Sequence, residues 1–253
     1  MSIGAPRARL MSPGRRAGAS WWRRAWIAPL AALVVAALVY IWAYYITFDP
    51  RTATVDLPAD QPLKYPVVLA HIVFGTVAMT TVVLQVWPWF RRRHPQAHRW
   101  AGWLYVVGGV APSAALAAVL LPTLAAPTWF ALASRVTLEV LWVATTALGV
   151  VAGRRRNYIA HRWFMLSSFA LTMDAVSSRL VKVVLTPLYP DVIGATTFLL
   201  IVGWGGWLLN LVGVQLWLLR GAWRLRRADR RSAAATAPGP APTPAARTTA
   251  GSA

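Results

Sequence analysis

The stretch RRRHPQAHRW, from Arg91 to Trp100, returns as RRRNYIAHRW, from Arg154 to Trp163, with 63 positions between His98 and His161. Each copy follows an apolar run, TVVLQVWPWF or TTALGVVAG, and leads into another, WAGWLYVVGGV or WFMLSSFAL. The recurring unit is two apolar segments joined by a short basic loop. Runs of about 20 residues with few charges are the length at which a helix crosses a bilayer while satisfying its own backbone. The pattern therefore predicts an all-α membrane bundle, with two tandem helical hairpins, about residues 65–121 and 133–186, as its four-helix core.

Composition supports this reading. With 253 residues, 57% of them hydrophobic, the chain is too apolar for a soluble domain. A net charge of +19 would point to nucleic acid in a soluble chain, but the 26 Lys and Arg cluster beside the apolar runs. That placement is a topology signal, and no nucleic-acid partner is expected. The absence of cysteine excludes disulfides, thiol catalysis and cysteine-held metals, so a cofactor would need histidine or oxygen ligands.

In chain order, residues 1–24 carry six arginines and no acid and are expected to be a disordered basic arm near anionic lipid headgroups. The run from Ala25 to Ile46 is too long for a signal-peptide core and ends in Tyr44-Tyr45 where a cleavage site would want small residues. It reads as a first span. A translocated loop with Asp49, Asp56 and Asp60 follows. Further spans are expected at Tyr65–Trp87, Trp100–Leu121, Ala133–Ala152, His161 to about Thr186, and Val192–Leu219, giving a six-helix domain over 25–219. Residues 220–253 form a basic, then low-complexity, tail. Six spans put both termini and both arginine loops on one side, and the positive-inside rule makes that side the cytoplasm.

Polar residues within the spans fall into two layers. His98 and His161 lie at the cytoplasmic ends of the third and fifth spans. His71, Arg135, Glu139, Asp174, Arg179 and Lys182 lie in the outer half. If spans two to five alternate up and down, the two inner histidines sit at matched height on diagonal helices, a geometry suited to both axial positions of one b-type haem. Gly102, one turn after His98, leaves room for a flat macrocycle. Arg91–Arg93, Arg99, Arg154–Arg156 and Arg162 are placed to meet its propionates. The other reading of His-Arg-Trp is an interfacial anchor, with Trp at the headgroups and Arg on lipid phosphate.

The outer layer also reads two ways. Ionisable groups inside a span face a bundle interior or a wet cavity. Arg135 and Glu139 are spaced for a pair on one helix face, and Asp174, Ser178 and Lys182 form a stripe at i, i+4, i+8. They either lock helices together as a salt-bridge network or line an outward-facing pocket for a small molecule, a quinone among the candidates. His71, Glu139 and Asp174 are suitable metal-ligand types but lack a local spacing signature. No hydrolase, kinase or phosphate-loop motif occurs.

The segments AHIVFGTVAM, HRWAGWLYV and HRWFMLSSFALT with a following Arg179 resemble an uncharacterised family of predicted bacterial membrane proteins, the domain of unknown function twenty-three-oh-six, over roughly residues 65–215. The resemblance implies a multi-helix integral protein of the bacterial inner membrane with no established reaction. His71, His98, Arg99, His161, Arg162 and Arg179 match its motif. A looser likeness is to four-helix b-type membrane cytochromes, but His71 has no counterpart on the fourth span, where the repeat places Ser134. At most one haem follows, held by His98 and His161, and that is an analogy of fold.

Overall fold

A computed structural model describes residues 26–55, 57–123, 129–188 and 191–236. The basic arm, Asp56 and the Pro-rich tail beyond 236 lie outside the described residues. Among those described, every regular element is helical.

The first helix, α1, is Ile27–Trp42, 16 residues and shorter than the apolar run. Its C-terminal neighbours leave the helix to fasten the loop that follows. Tyr45 is buried with its hydroxyl 3.1 Å from Thr54 Oγ1, and Thr52 donates to the Tyr44 carbonyl at 2.6 Å. The second helix, α2, is Lys64–Val86. It stops at Trp87, which is extended because Pro88 follows and disfavours helical geometry in its predecessor.

The first arginine triplet closes a short helix, α3, Pro88–Arg93, where cations suit the carbonyl end. Next come α4, Pro95–Tyr105, a wide π turn over Val106–Val110, and α5, Ala111–Leu120. These three form one continuous rod. The wide turn has a cause: Pro112 lacks an N–H and its ring would collide with the carbonyl four residues back, at Gly108.

Helix α6 is Trp129–Arg154. Arg156 takes a left-handed conformation (φ 58°), the Asn157 N–H returns to the Ala152 carbonyl at 2.9 Å, and the Asn157 side chain accepts from Ala160 N–H at 3.1 Å. That cap opens α7, Tyr158–Thr172. The fifth expected span then breaks: Met173 interrupts it, and Asp174–Leu185 is a separate helix, α8, with Asp174 in the first turn where the helix dipole favours an acid. The last helix, α9, is Ala195–Thr236.

By length and hydropathy four helices are able to cross a membrane: Lys64–Val86, Pro95–Thr123, Trp129–Arg154 and Ala195–Ala228. The first helix is shorter, and the fifth segment is divided. The chain up to Leu211 is one compact unit and Val212 onward is a second. In the second, α9 presents exposed Trp223 with the Arg227 guanidinium 4.8 Å from its ring centre.

In the first unit α2 packs along α4 and α5, α6 along α7, and α1 against α2 and α8. Large aliphatics stay on the outside, as with Val107 (62% exposed) and Val140 (60%), which suits a lipid surround. The core includes Val34, Ala78, Met79, Val82, Trp142, Leu171 and Trp207. Gly109 makes the closest helix approach, since a Cβ there would stand 2.9 Å from the Ala78 backbone.

At the centre sits Tyr105, fully buried, with its hydroxyl 2.6 Å from Ser168 Oγ and 2.8 Å from Thr172 Oγ1. Trp142 Nε1 donates to Thr172 at 2.9 Å, and Thr146 Oγ1 lies 2.7 Å from Ser168 Oγ while donating to the Trp142 carbonyl. At the end opposite the arginines, buried Lys64 donates to the Thr123 carbonyl at 2.9 Å and closes the first hairpin.

Candidate functional site

A cavity of about 240 Å³ opens between α1, α2, α5, α6, α7 and α8. His71, Glu139, Asp174 and Arg179 all line it, so ionisable residues up to 108 positions apart converge on one space. The rest of the wall is largely aliphatic, with Trp142 and Thr172 joining it to the central hydroxyl network.

Each polar group arrives by its helix face. His71 is two turns into α2. Its Nδ1 stands 2.9 Å from the Ser113 carbonyl, which can only accept, so Nδ1 carries the proton and a neutral ring keeps Nε2 as an acceptor. Ser113 Oγ is also near, at 3.2 Å. Gly75, one turn after His71, opens onto the cavity: the nearest atom to a Cβ there would be Ser113 Oγ at 3.8 Å.

Glu139 comes from α6. Its Oε1 is buried with no hydrogen-bond partner. Arg135, one turn earlier, is exposed and does not line the cavity, so the spacing that suited an ion pair does not form one.

Asp174 and Arg179 come from α8. Asp174 Oδ1 is likewise buried without a partner, pressed beneath Gly206 of α9, where a Cβ would fall 2.5 Å from it and 2.9 Å from Ser178 N. Arg179 spends Nη1 on the Ala175 carbonyl at 2.5 Å. The expected Asp174–Ser178–Lys182 stripe divides: Asp174 and Ser178 meet α9, and Lys182 is exposed outside the cavity. Among the described residues no three His, Asp or Glu side chains are grouped as metal ligands.

The inner histidines occupy matched positions. His98 N–H bonds the His94 carbonyl and His161 N–H the Asn157 carbonyl, both at 2.9 Å, one turn inside their helices. His161 Nδ1 stands 2.8 Å from the Gly149 carbonyl, and its ring lies over Gly153, where a Cβ would come within 2.9 Å of Nδ1. His98 is within electrostatic range of Arg91 and His161, and its Nδ1 is buried without a partner. Gln85 of α2 fills the face beside Gly102, its amide 3.5 Å from a Cβ there, and Gln85 Nε2 donates to the His98 carbonyl at 2.9 Å. Arg99 and Arg162 are exposed. Arg154 lies over Trp103, 5.3 Å from the ring centre, tying the second hairpin to the first.

Sequence reasoning missed Ser113 and the Tyr105 network. The available signal was hydroxyls spaced one turn apart, Ser168 and Thr172, in an otherwise apolar run. Nor did Ser134 stand out beyond its place in the repeat; it donates to the Gly203 carbonyl at 2.6 Å and accepts from Trp207 Nε1 at 3.0 Å, seating α9.

A family model described as "Predicted membrane protein (DUF2306)" matches residues 68–218. No curated protein and no solved structure matches the chain.

Proposed function

This chain belongs to the DUF2306 family of predicted membrane proteins, and from its geometry we propose that it binds a small molecule in the cavity walled by His71, Glu139, Asp174 and Arg179, as a carrier or a sensor. One observation carries the reading: two buried carboxylate oxygens, Glu139 Oε1 and Asp174 Oδ1, lack partners in residues that line one cavity. A salt-bridge network that only locked helices together would satisfy those oxygens, because an unpaired buried acceptor at membrane depth is costly. His71 and Glu139 lie in the halves of α2 and α6 away from the arginine loops, so arginine loops on the cytoplasmic side put the cavity toward the outer face of a bacterial inner membrane.

Gly75 offers a test that spares the fold. Leucine there improves helix propensity by up to ~1 kcal/mol and extends into the cavity from a position with no close neighbour. The detergent-solubilised protein is to be screened by thermal unfolding against small amines, carboxylic acids and neutral alcohols. We expect at least one class to stabilise the wild type and none to stabilise Gly75→Leu. Failure of every class, or an undiminished response in Gly75→Leu, rejects the cavity as the site.

A second reading keeps one b-type haem between His98 and His161, and a single feature favours it. His161 holds Nδ1 on a carbonyl and leaves Nε2 available, as metal-bound histidines do. Against it, Gln85 occupies the face at Gly102 and His98 Nδ1 has no acceptor to orient its ring. Exposed Arg99 and Arg162 would meet the propionates. Haem supplies one-electron chemistry when bound. The reading predicts a reduced-minus-oxidised α band in protein from haem-supplied cells that is lost in His98→Ala and His161→Ala; a featureless spectrum rejects it.

A further inference from the structure

The charges around the cavity distinguish among ligand classes, and this step rests on the cavity being a binding site. Asp174 feels the opposite charge of Arg179 on the same helix. Both line the cavity, an acid and a cation on one helix. Glu139 has no partner on its own helix: Arg135 is exposed and does not line the cavity, and Glu139 Oε1 is buried without a hydrogen bond. His71 holds Nδ1 on the Ser113 carbonyl, which leaves Nε2 as the ring atom free of that bond. What remains in the wall is a carboxyl group whose buried oxygen, Glu139 Oε1, has no hydrogen-bond partner.

Beside Glu139 stands an aromatic wall. Trp142 follows it by three residues on α6 and lines the same cavity. Its indole is fixed, with Nε1 donating to Thr172 at 2.9 Å and lying 3.3 Å from the Tyr105 hydroxyl. An indole face attracts a cation, more strongly where water is excluded. The lining also includes hydrocarbon, from Leu38, Ile72, Met79 and Leu138. A space of 240 Å³ corresponds to about eight water volumes at ~30 Å³ each. That suits a ligand with a single charged head and a short apolar body.

We propose that the cavity binds a small monocationic amine, its ammonium against Glu139 and Trp142 and its hydrocarbon body against Leu38, Ile72, Met79 and Leu138. The ammonium donates N–H to the Glu139 carboxylate, supplying the partner Oε1 lacks. A carboxylate ligand would place a second acid beside Glu139. A neutral alcohol would bring it no opposite charge.

The test uses the full chain in lipid nanodiscs and calorimetric titration with hexylammonium, hexanol and hexanoate, three probes of equal length. Hexylammonium is expected to bind at least tenfold more tightly than either of the others. Glu139→Gln should lose at least tenfold in amine affinity while keeping its unfolding temperature; Gly75→Leu, which leaves the carboxylate in place, should lose binding by occupying the space. If Glu139→Gln fails to fold, the probe series and Gly75→Leu still decide. Equal binding of hexanol, or unchanged amine affinity in either folded variant, overturns the proposal. Preferential binding of hexanoate overturns it while sparing the cavity reading, whereas no binding by any probe removes both. Stabilisation by sodium alone that matches hexylammonium and depends on Glu139 also overturns it, in favour of an inorganic cation.

Discussion

Leucine in place of Gly109 is expected to destabilise the protein by about 3 kcal/mol, the upper end of the range for overpacking a tight contact, and to leave little folded material after purification. A side chain there meets the Ala78 backbone, with Cα and N both 2.9 Å from the new Cβ. Backbone cannot rotate aside, so α2 and the rod of α4 and α5 must separate along the seam that builds the first hairpin. Gly108 supplies the control. A Cβ there meets the end of Leu104, whose Cδ1 lies 2.7 Å away and can move to another rotamer. Gly108→Ala should change stability by less than about 1 kcal/mol, the helix-propensity gain offsetting the rotamer shift. Thermal unfolding of the two variants in one detergent makes the comparison, and equal losses would show that the seam is looser than its geometry implies.

Tyr105→Phe is expected to cost about 2 kcal/mol, within the range for leaving buried hydrogen-bonding groups unsatisfied. The aromatic volume is retained, so the loss reports the hydroxyl alone. That hydroxyl sits 2.6 Å from Ser168 Oγ, 2.8 Å from Thr172 Oγ1 and 3.3 Å from Trp142 Nε1, joining three helices at one atom. Single interhelical hydrogen bonds in membrane proteins average ~0.6 kcal/mol, and three meeting at a fully buried oxygen set the larger value. Ser168→Ala should cost less, because Tyr105 keeps Thr172 and Thr146 still donates to the Trp142 carbonyl. A Tyr105→Phe variant as stable as wild type would mean that its partners find other acceptors.

Legibility in the sequence followed how local each signal was. The arginine triplets and prolines act on the chain immediately around them. The turns at Trp87–Pro88 and Arg156–Asn157 accordingly fall within the stretches that the basic loops marked. Charges within apolar runs are rare enough to stand out singly, and so His71, Glu139, Asp174 and Arg179 were visible as a group before any geometry. The same signal also named Arg135 and Lys182, which are exposed, because it registers depth and not which face a neighbouring helix covers. Ser113 and Tyr105 act through partners more than 30 residues away and look like ordinary small or aromatic residues in a span. The break at Met173 has neither proline nor glycine to announce it, and the charges after it read equally well as an uninterrupted helix.

That break divides the cavity's walls. His71 and Glu139 are carried by α2 and α6, long uninterrupted helices of 23 and 26 residues. Asp174 and Arg179 are carried by a 12-residue segment beyond an interruption. The two carboxylates thus reach one cavity from helices of unequal length, Asp174 from the first turn of the helix that starts at the interruption.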